Sequence, residues 1–290
     1  MNGVKTHLLC LGQGSPTVLL EAGLGDVSLQ FGPLMKQISM FTRVCTYDRP
    51  GTGWSEPLSG IRTAQQTAEL FHSALTAAGE KPPYVVAGHS LGGVYSKTFA
   101  SLYRAEVVGM ILIDSAGEDQ NLRLPQEILA LDRSTQSLLW ACRLASPFGI
   151  FRVLKVAEQI TSSEKLPAKE IAMLTARMNT YHYCTAMLDA YASSAQALSQ
   201  TGIQYDFGDM PLIVLVRGKG MSASPDQLPS GITMETLEKT ETVWNEIQAE
   251  NAKMSTHSEL IVAEESQHYI YVDQPELVVE SIQRVVEKVR

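Results

Sequence analysis

The chain has 290 residues, enough for one large α/β domain with an insertion or for two small domains. Its 44% hydrophobic and 19% charged content suits a soluble globular protein, and a net charge of −8 argues against nucleic acid or an anionic membrane as the main partner. Met1–Lys5 does not lead from basic residues into an apolar stretch, so it reads as no secretory leader, and no run approaches the roughly 18 apolar residues of a membrane span.

Val4 to Gly12 alternates weakly and reads as a strand ending in a turn at Gly12–Pro16. Thr17 to Ala22 is a buried strand that stops at Gly23–Leu24–Gly25–Asp26. Leu29 to Ser39 has helical spacing, and Arg43 to Tyr47 is the next strand. It runs into Asp48–Arg49–Pro50–Gly51–Thr52–Gly53–Trp54–Ser55, a loop in which Asp48 reads as a turn brace. Thr63 to Gly79 is an amphipathic helix with an apolar face at Ala64, Thr67, Leu70, Phe71, Ala74, Leu75 and Ala78.

Tyr84 to Ala87 is a short buried strand. Behind it comes Gly88-x-Ser90-x-Gly92 and then a helix bearing Val94, Phe99, Ala100 and Tyr103. Strand, tight turn and helix in that order is the context a nucleophile elbow requires. The turn lifts the serine clear of the sheet, and glycines on either side tolerate the backbone crowding. Ser90 is therefore the candidate nucleophile, a role in which a hydroxyl needs a nearby base.

Val107 to Asp114 is a continuous apolar strand of the parallel, fully buried kind. Alternating strands and helices up to this point predict a parallel sheet covered on both faces. From Glu118 to Tyr205 no strand is expected. Helical stretches fill it instead: Pro125–Ala145, Phe148–Ile160, Pro167–Met178 and Tyr181–Leu198. The sheet resumes at Met210–Arg217. A Gly/Ser/Pro-rich loop covers Gly218–Gly231, followed by a helix at Glu235–Lys253, a strand at Glu259–Ala263 and a closing helix at Pro275–Val289.

The four cysteines, Cys10, Cys45, Cys142 and Cys184, lack Cys-x-x-Cys spacing. Reduced thiols in a cytoplasmic protein are expected, with no structural zinc and with Cys45 buried and inert.

Four segments together, Ala22–Gly25, Asp48–Ser55, Gly88–Gly93 and Gln267–Glu276, resemble the landmarks of the α/β-hydrolase family in the right order, over nearly the whole chain. The resemblance implies a mostly parallel sheet with helices on both faces, a core at 1–117 and 206–290, and a helical cap at 118–205. Only one strand precedes Thr17, where relatives often have two. His268, on the loop after the last strand, takes the place of the family's base. The backbone N–H groups of Leu24 and Leu91 take the place of its oxyanion donors.

The acid has two candidates. The family's usual place follows the strand after the cap, where Arg217–Gly218–Lys219–Gly220–Met221 holds no carboxylate; the first one downstream is Asp226. The alternative place, used by haloalkane dehalogenases and some relatives, is the end of the strand after the elbow helix, and there stands Asp114.

The other histidines fit the base less well. His89 should point away from Ser90, His7 and His257 lie near strand ends on the wrong side, His72 is on a helix, and His182 reads as structural. In the cap, Leu138, Leu139, Trp140, Phe148, Phe151, Met173, Met178, Tyr181, Tyr183 and Met187 are candidates for an apolar pocket, although most should form the cap's own core.

The implied activity is hydrolysis of carboxylic esters of small or medium apolar substrates, without cofactor or metal. Thioester, peptide, C–C bond and acyl-transfer chemistry share the fold, as do non-catalytic ligand receptors. Serine at the elbow argues against dehalogenases and epoxide hydrolases, whose elbow residue is aspartate.

Overall fold

A computed structural model describes residues 3–157, 168–220 and 228–290. Seven strands form one sheet in the order β1-β3-β2-β4-β5-β6-β7. They are β1 (Leu8–Leu11), β2 (Thr17–Glu21), β3 (Val44–Tyr47), β4 (Tyr84–His89), β5 (Val107–Ile113), β6 (Leu212–Arg217) and β7 (Ser258–Ala263). All neighbouring pairs are parallel except β1 with β3.

The central strands are apolar on every residue because both sheet faces are covered. Val18, Leu20, Val85, Ala87, Ile111, Ile113, Ile213 and Leu215 point into one core, shared with Phe31, Leu34, Met35 and Ile38 of α1 (Gly32–Ile38) and its lead-in, and with Val278, Ile282 and Val285 of the closing helix. The alternate residues Leu19, Val86, Met110, Leu112 and Val214 point into a second core, with Phe71 and Leu75 of α2 (Ala64–Ala77) and Phe99 and Ala100 of α3 (Leu91–Leu102). This two-residue alternation sets the register, since a slip by one would exchange the two faces. Helix α2 starts where predicted because Thr63 accepts from the Gln66 amide at 3.1 Å while Gln66 returns the bond at 3.0 Å. It stops at Gly79, whose φ is 79°.

Between β5 and β6 the described elements are all helices: α4 (Gln120–Arg123), α5 (Gln126–Ala145), α6 (Ile150–Val153), α7 (Ala168–Met178) and α8 (Tyr181–Ala197). The expected helix at 148–160 is a shorter α6 preceded by a 3-10 turn at Ser146–Phe148, with Gly149 at φ 70° breaking the run; residues 158–160 lie outside the described residues. After β6 come α9 (Met234–Asn251), a single turn α10 (Ile270–Asp273) and α11 (Pro275–Lys288). No helix among the described residues is long and apolar enough to cross a membrane.

Three expectations are corrected. Cys10 and Cys45 form a disulfide, as do Cys142 and Cys184. The sheet register puts Cys10 opposite Cys45, and helices α5 and α8 bring the other pair to a Cα separation of 5.9 Å. The inference of a cytoplasmic protein loses the support it took from free thiols. His7 is not on the wrong side: β1 runs antiparallel, so its N-terminal end lies beside the C-terminal end of β3, and His7 Nδ1 stands 2.9 Å from Asp48 Oδ2. Finally, Leu138, Trp140, Phe148, Met173 and Tyr181 are exposed rather than packed in a core, because they lie on the outward sides of their helices; Met187 is buried.

Candidate active site

The strand order places a topological switch point at the carboxyl ends of the sheet. The chain leaves β2 toward β3 on one side and leaves β4 toward β5 on the other, so the connections diverge between β2 and β4. Open α/β sheets bind ligands at such a switch point. The loop with Leu24 follows β2, Ser90 follows β4, Asp114 follows β5, Arg217 ends β6, and His268 follows β7.

Ser90 stands between β4 and α3 at φ 54°, ψ −123°, outside the regions an L-residue ordinarily occupies. Its N–H donates to Ile113 O at 3.1 Å, and its carbonyl accepts from Gly93 at 2.9 Å and Ala116 at 3.0 Å. These bonds anchor the elbow to the end of β5. Close approach explains the glycines. A Cβ on Gly88 would run into the Gly92 carbonyl, and one on Gly92 would stand 2.6 Å from Ala22 O. The Gly92 contact brings the β2 loop against the start of α3, and Leu24 packs on the cluster that contains Leu91. Leu91 opens α3, where the first amides have no partner within the helix.

Arg49 pins the loop after β2. Its guanidinium donates to Ala22 O at 2.7 Å, to Gly23 O, and to Glu21 Oε1 at 3.0 Å. Burial pushes the Glu21 carboxyl up to about 7, with Arg49 opposing. Asp48 is fully buried and accepts from the Ser28 amide at 2.7 Å and the Trp54 amide at 2.9 Å, bracing the following turn.

His268 and Asp114 meet, with Nδ1 at 2.6 Å from Oδ2. Asp114 is fully buried at φ 44° and accepts three further bonds: from the Arg217 amide at 3.2 Å, the Arg217 Nη1 at 2.8 Å and the Trp244 Nε1 at 2.8 Å. Burial alone would raise its pKa. The bond and charge of His268, with Arg217 and Trp244, outweigh that and hold the carboxyl at about 2. The other candidate acid, Asp226, lies outside the described residues.

The His268 ring is about a third exposed and sits among the rings of His89, Trp244 and Tyr269. Burial there lowers its pKa below the ordinary histidine value; Asp114 opposes, while His89 and Arg217 add to the fall. A neutral imidazole with Nδ1–H held by a carboxylate leaves Nε2 free to accept a proton.

Three neighbours of the site carry no sequence signal. His89, buried under the elbow, donates Nε2–H to the His268 carbonyl at 3.0 Å, so it holds the loop of the candidate base. Trp244 and Gln248 of α9 reach back over β5, the latter donating to Ser115 O at 2.7 Å. Only the pairing of distant strands creates these contacts. Helix α8 lies over the same edge: Met187 Cε would stand 3.2 Å from a Cβ on Gly25. His182 is exposed, His72 pairs with Glu106 at 3.0 Å, and His257 borders the start of β6, at the far edge of the sheet.

Comparison with known proteins agrees with this architecture. The chain is 27% identical over 95% of its length to a probable transporter, efuK, of Hormonema carpetanum, of which it covers 40%. It spans between 32% and 42% of the length of this and two further curated relatives. Among solved structures it resembles a thermophilic esterase from Thermogutta terrifontis (TM-score 0.67, 19% identity, covering 99% of this chain and 94% of that one). It also resembles the epoxide hydrolase CorEH (TM-score 0.73, 17% identity, covering 100% and 97%). At these identities the structural likeness speaks for the fold alone. The profile of the alpha/beta hydrolase family matches residues 18–281, and the chain belongs to that family.

Proposed function

We propose that the protein is a serine hydrolase that cleaves carboxylic esters of small or medium apolar substrates through an acyl-enzyme on Ser90. The observation that carries this reading is a strained serine elbow at the end of β4 together with a His268–Asp114 bond of 2.6 Å, its aspartate at the end of the neighbouring strand β5 and its histidine on the loop after β7. Serine rather than aspartate at position 90 favours acyl transfer over epoxide opening.

In this mechanism Ser90 Oγ attacks the ester carbonyl carbon while His268 Nε2 takes its proton. The carbonyl π electrons move to oxygen, and the N–H groups of Leu24 and Leu91 hold the oxyanion. Asp114 keeps Nδ1–H in place and stabilises the imidazolium. The intermediate collapses, the C–O bond to the alcohol breaks, and His268 protonates the leaving oxygen. Water then repeats the attack on the acyl-enzyme, its proton going to His268, and the acid departs as Oγ recovers its proton. The helices between β5 and β6 act as the cap, with Met187 near the Gly25 loop supplying an apolar contact.

A fluorophosphonate probe and a panel of p-nitrophenyl esters of graded acyl length test the reading. The wild-type protein is expected to be labelled and to turn over esters. Ser90→Ala should abolish both while keeping the wild-type Tm. A folded wild-type protein that is neither labelled nor active would point instead to a ligand receptor on this fold.

A further inference from the structure

We propose that Arg217 is a positioning residue that sets the pH at which His268 becomes a free base, acting through Asp114 and itself restrained by Glu241. The proposal rests on the catalytic reading above.

Arg217 ends β6, whose following residues, Gly218–Lys219–Gly220, hold no carboxylate. Its side chain is 6% exposed; both terminal nitrogens of the guanidinium are engaged, while Nε has no hydrogen-bond partner among the described residues. Nη1 donates to Asp114 Oδ2 at 2.8 Å and Nη2 to Glu241 Oε1 at 2.9 Å. The guanidinium carbon lies 4.5 Å from the centroid of the Trp244 ring. The backbone N–H of the same residue takes Asp114 Oδ1 at 3.2 Å, and Trp244 Nε1 takes that oxygen at 2.8 Å.

Asp114 Oδ2 is therefore shared between a permanent cation and the imidazole, whose Nδ1 is 2.6 Å away. An unshared carboxylate would hold on to the imidazolium and make His268 a stronger base. A guanidinium on the same oxygen disfavours the second positive charge. Among the described residues, the other rings facing His268 are His89 from the end of β4, Trp244 from α9 and the adjacent Tyr269. Glu241, also on α9, is the carboxylate that touches Arg217 from the side away from Asp114, and its side chain is 23% exposed. It offsets part of the guanidinium charge. Arginine suits the role: it stays charged, and its fork spans two carboxylates while its face stacks on the indole.

A brace that only orients Asp114 would need donors. An element that sets basicity needs charge, and the two separate experimentally. The His268 imidazole is titrated by 15N NMR in the full-length chain, and the acid limb of kcat/KM is recorded with a p-nitrophenyl ester. Arg217→Gln is expected to raise both values by about one pH unit, as removal of a nearby charge at intermediate depth does. Arg217→Lys, which keeps the charge and loses the fork, should return both to within a few tenths of the wild type. Glu241→Gln, which frees the guanidinium charge, should lower both by about half a unit. A role as structural brace alone predicts a lower Tm for Arg217→Gln with the His268 titration unmoved in every variant, and that result overturns the proposal. Should Arg217→Gln not fold, Glu241→Gln decides, because an unmoved titration there is equally fatal. The NMR readout needs no turnover. Failure of the ester-hydrolase reading would show as absent labelling of Ser90 with the titration shifts intact.

Discussion

Replacing Asp114 by asparagine tests the candidate site most sharply, because its outcome follows from four hydrogen bonds. Trp244 Nε1 and the Arg217 amide both donate to Oδ1, and Arg217 Nη1 and His268 Nδ1 both meet Oδ2. An asparagine must turn its NH2 toward one of these pairs. Toward Trp244 it would oppose two buried donors with no alternative partner, at a cost of about 1–3 kcal/mol for each group left unsatisfied. Toward His268 one clash is relieved by moving the imidazole proton from Nδ1 to Nε2, which leaves one opposed donor, Arg217 Nη1, on a guanidinium that keeps its bond to Glu241. The second arrangement wins, and Nε2 then carries a proton instead of the lone pair that the proposed mechanism uses. Loss of the correct tautomer costs roughly 10⁴-fold in kcat in a serine protease triad, about 5.5 kcal/mol of barrier. We expect a fall of about 10³- to 10⁴-fold here, measured by steady-state hydrolysis of a p-nitrophenyl ester and normalised to folded protein by the Tm. Asp226→Asn should stay within about twofold of wild type. An Asp114→Asn protein retaining a tenth or more of the wild-type rate would refute the reasoning, and a large loss in Asp226→Asn would move the acid to that residue.

Glu21 gives a stability prediction of unusual sign. Its folded-state pKa of about 7 lies above the 4.5 of an ordinary glutamate, so its contribution is fully present below pH 4.5 and is lost as the pH rises through 7. Glu21→Gln should therefore flatten the decline of Tm between pH 5 and 8, and an unchanged slope in a thermal-shift series would count against it. Gly92→Ala should destabilise the fold by about 3 kcal/mol in urea unfolding, because its Cβ meets backbone carbonyls of Glu21 and Ala22 that have nowhere to move; a loss under about 1 kcal/mol would show that the elbow yields.

Much of the fold is legible in the sequence wherever a local rule holds. Val18 to Leu20 and Met110 to Ile113 read as buried strands because they are apolar without interruption, and they are buried on both faces. The Ser90 turn is legible because glycines at 88 and 92 answer a local need for close backbone approach. Legibility ends where two distant segments must be paired first. Nothing near Cys10 says that an antiparallel β1 will set it opposite Cys45, and the same reversal carries His7 to the site's side of the sheet. The exposed faces of α5 and of the 3-10 turn that follows it show the limit of a different rule. Apolar spacing marks a stripe without saying what covers it, and Trp140 and Phe148 stand out in solvent.

The positions of Ser90 and Asp114 share one structural origin. Both are non-glycine residues at positive φ on the first step beyond a parallel strand, and β4 and β5 are neighbours in register, His89 opposite Ile113. Positive φ alone does not mark a site, since Lys155 has it too, on the short turn after α6. What distinguishes the pair is mutual over-determination. Ser90 N–H bonds Ile113 O, Ala116 N–H bonds Ser90 O, and Asp114 N–H bonds Leu215 O at 2.7 Å, so each strained turn is held by the strand beside it. His268 reaches them from a loop with a different kind of support. That loop is tied by the Lys219 amide to Ser266 O, by the Gln267 amide to Asp273 Oδ2 and by His89 to the His268 carbonyl. Two members thus stand on strand ends, and the third is hung between side chains and loops. Motion of the site on binding should therefore reside in the His268 loop, which no strand ladder holds, while the spacing of Ser90 and Asp114 is set by the sheet itself.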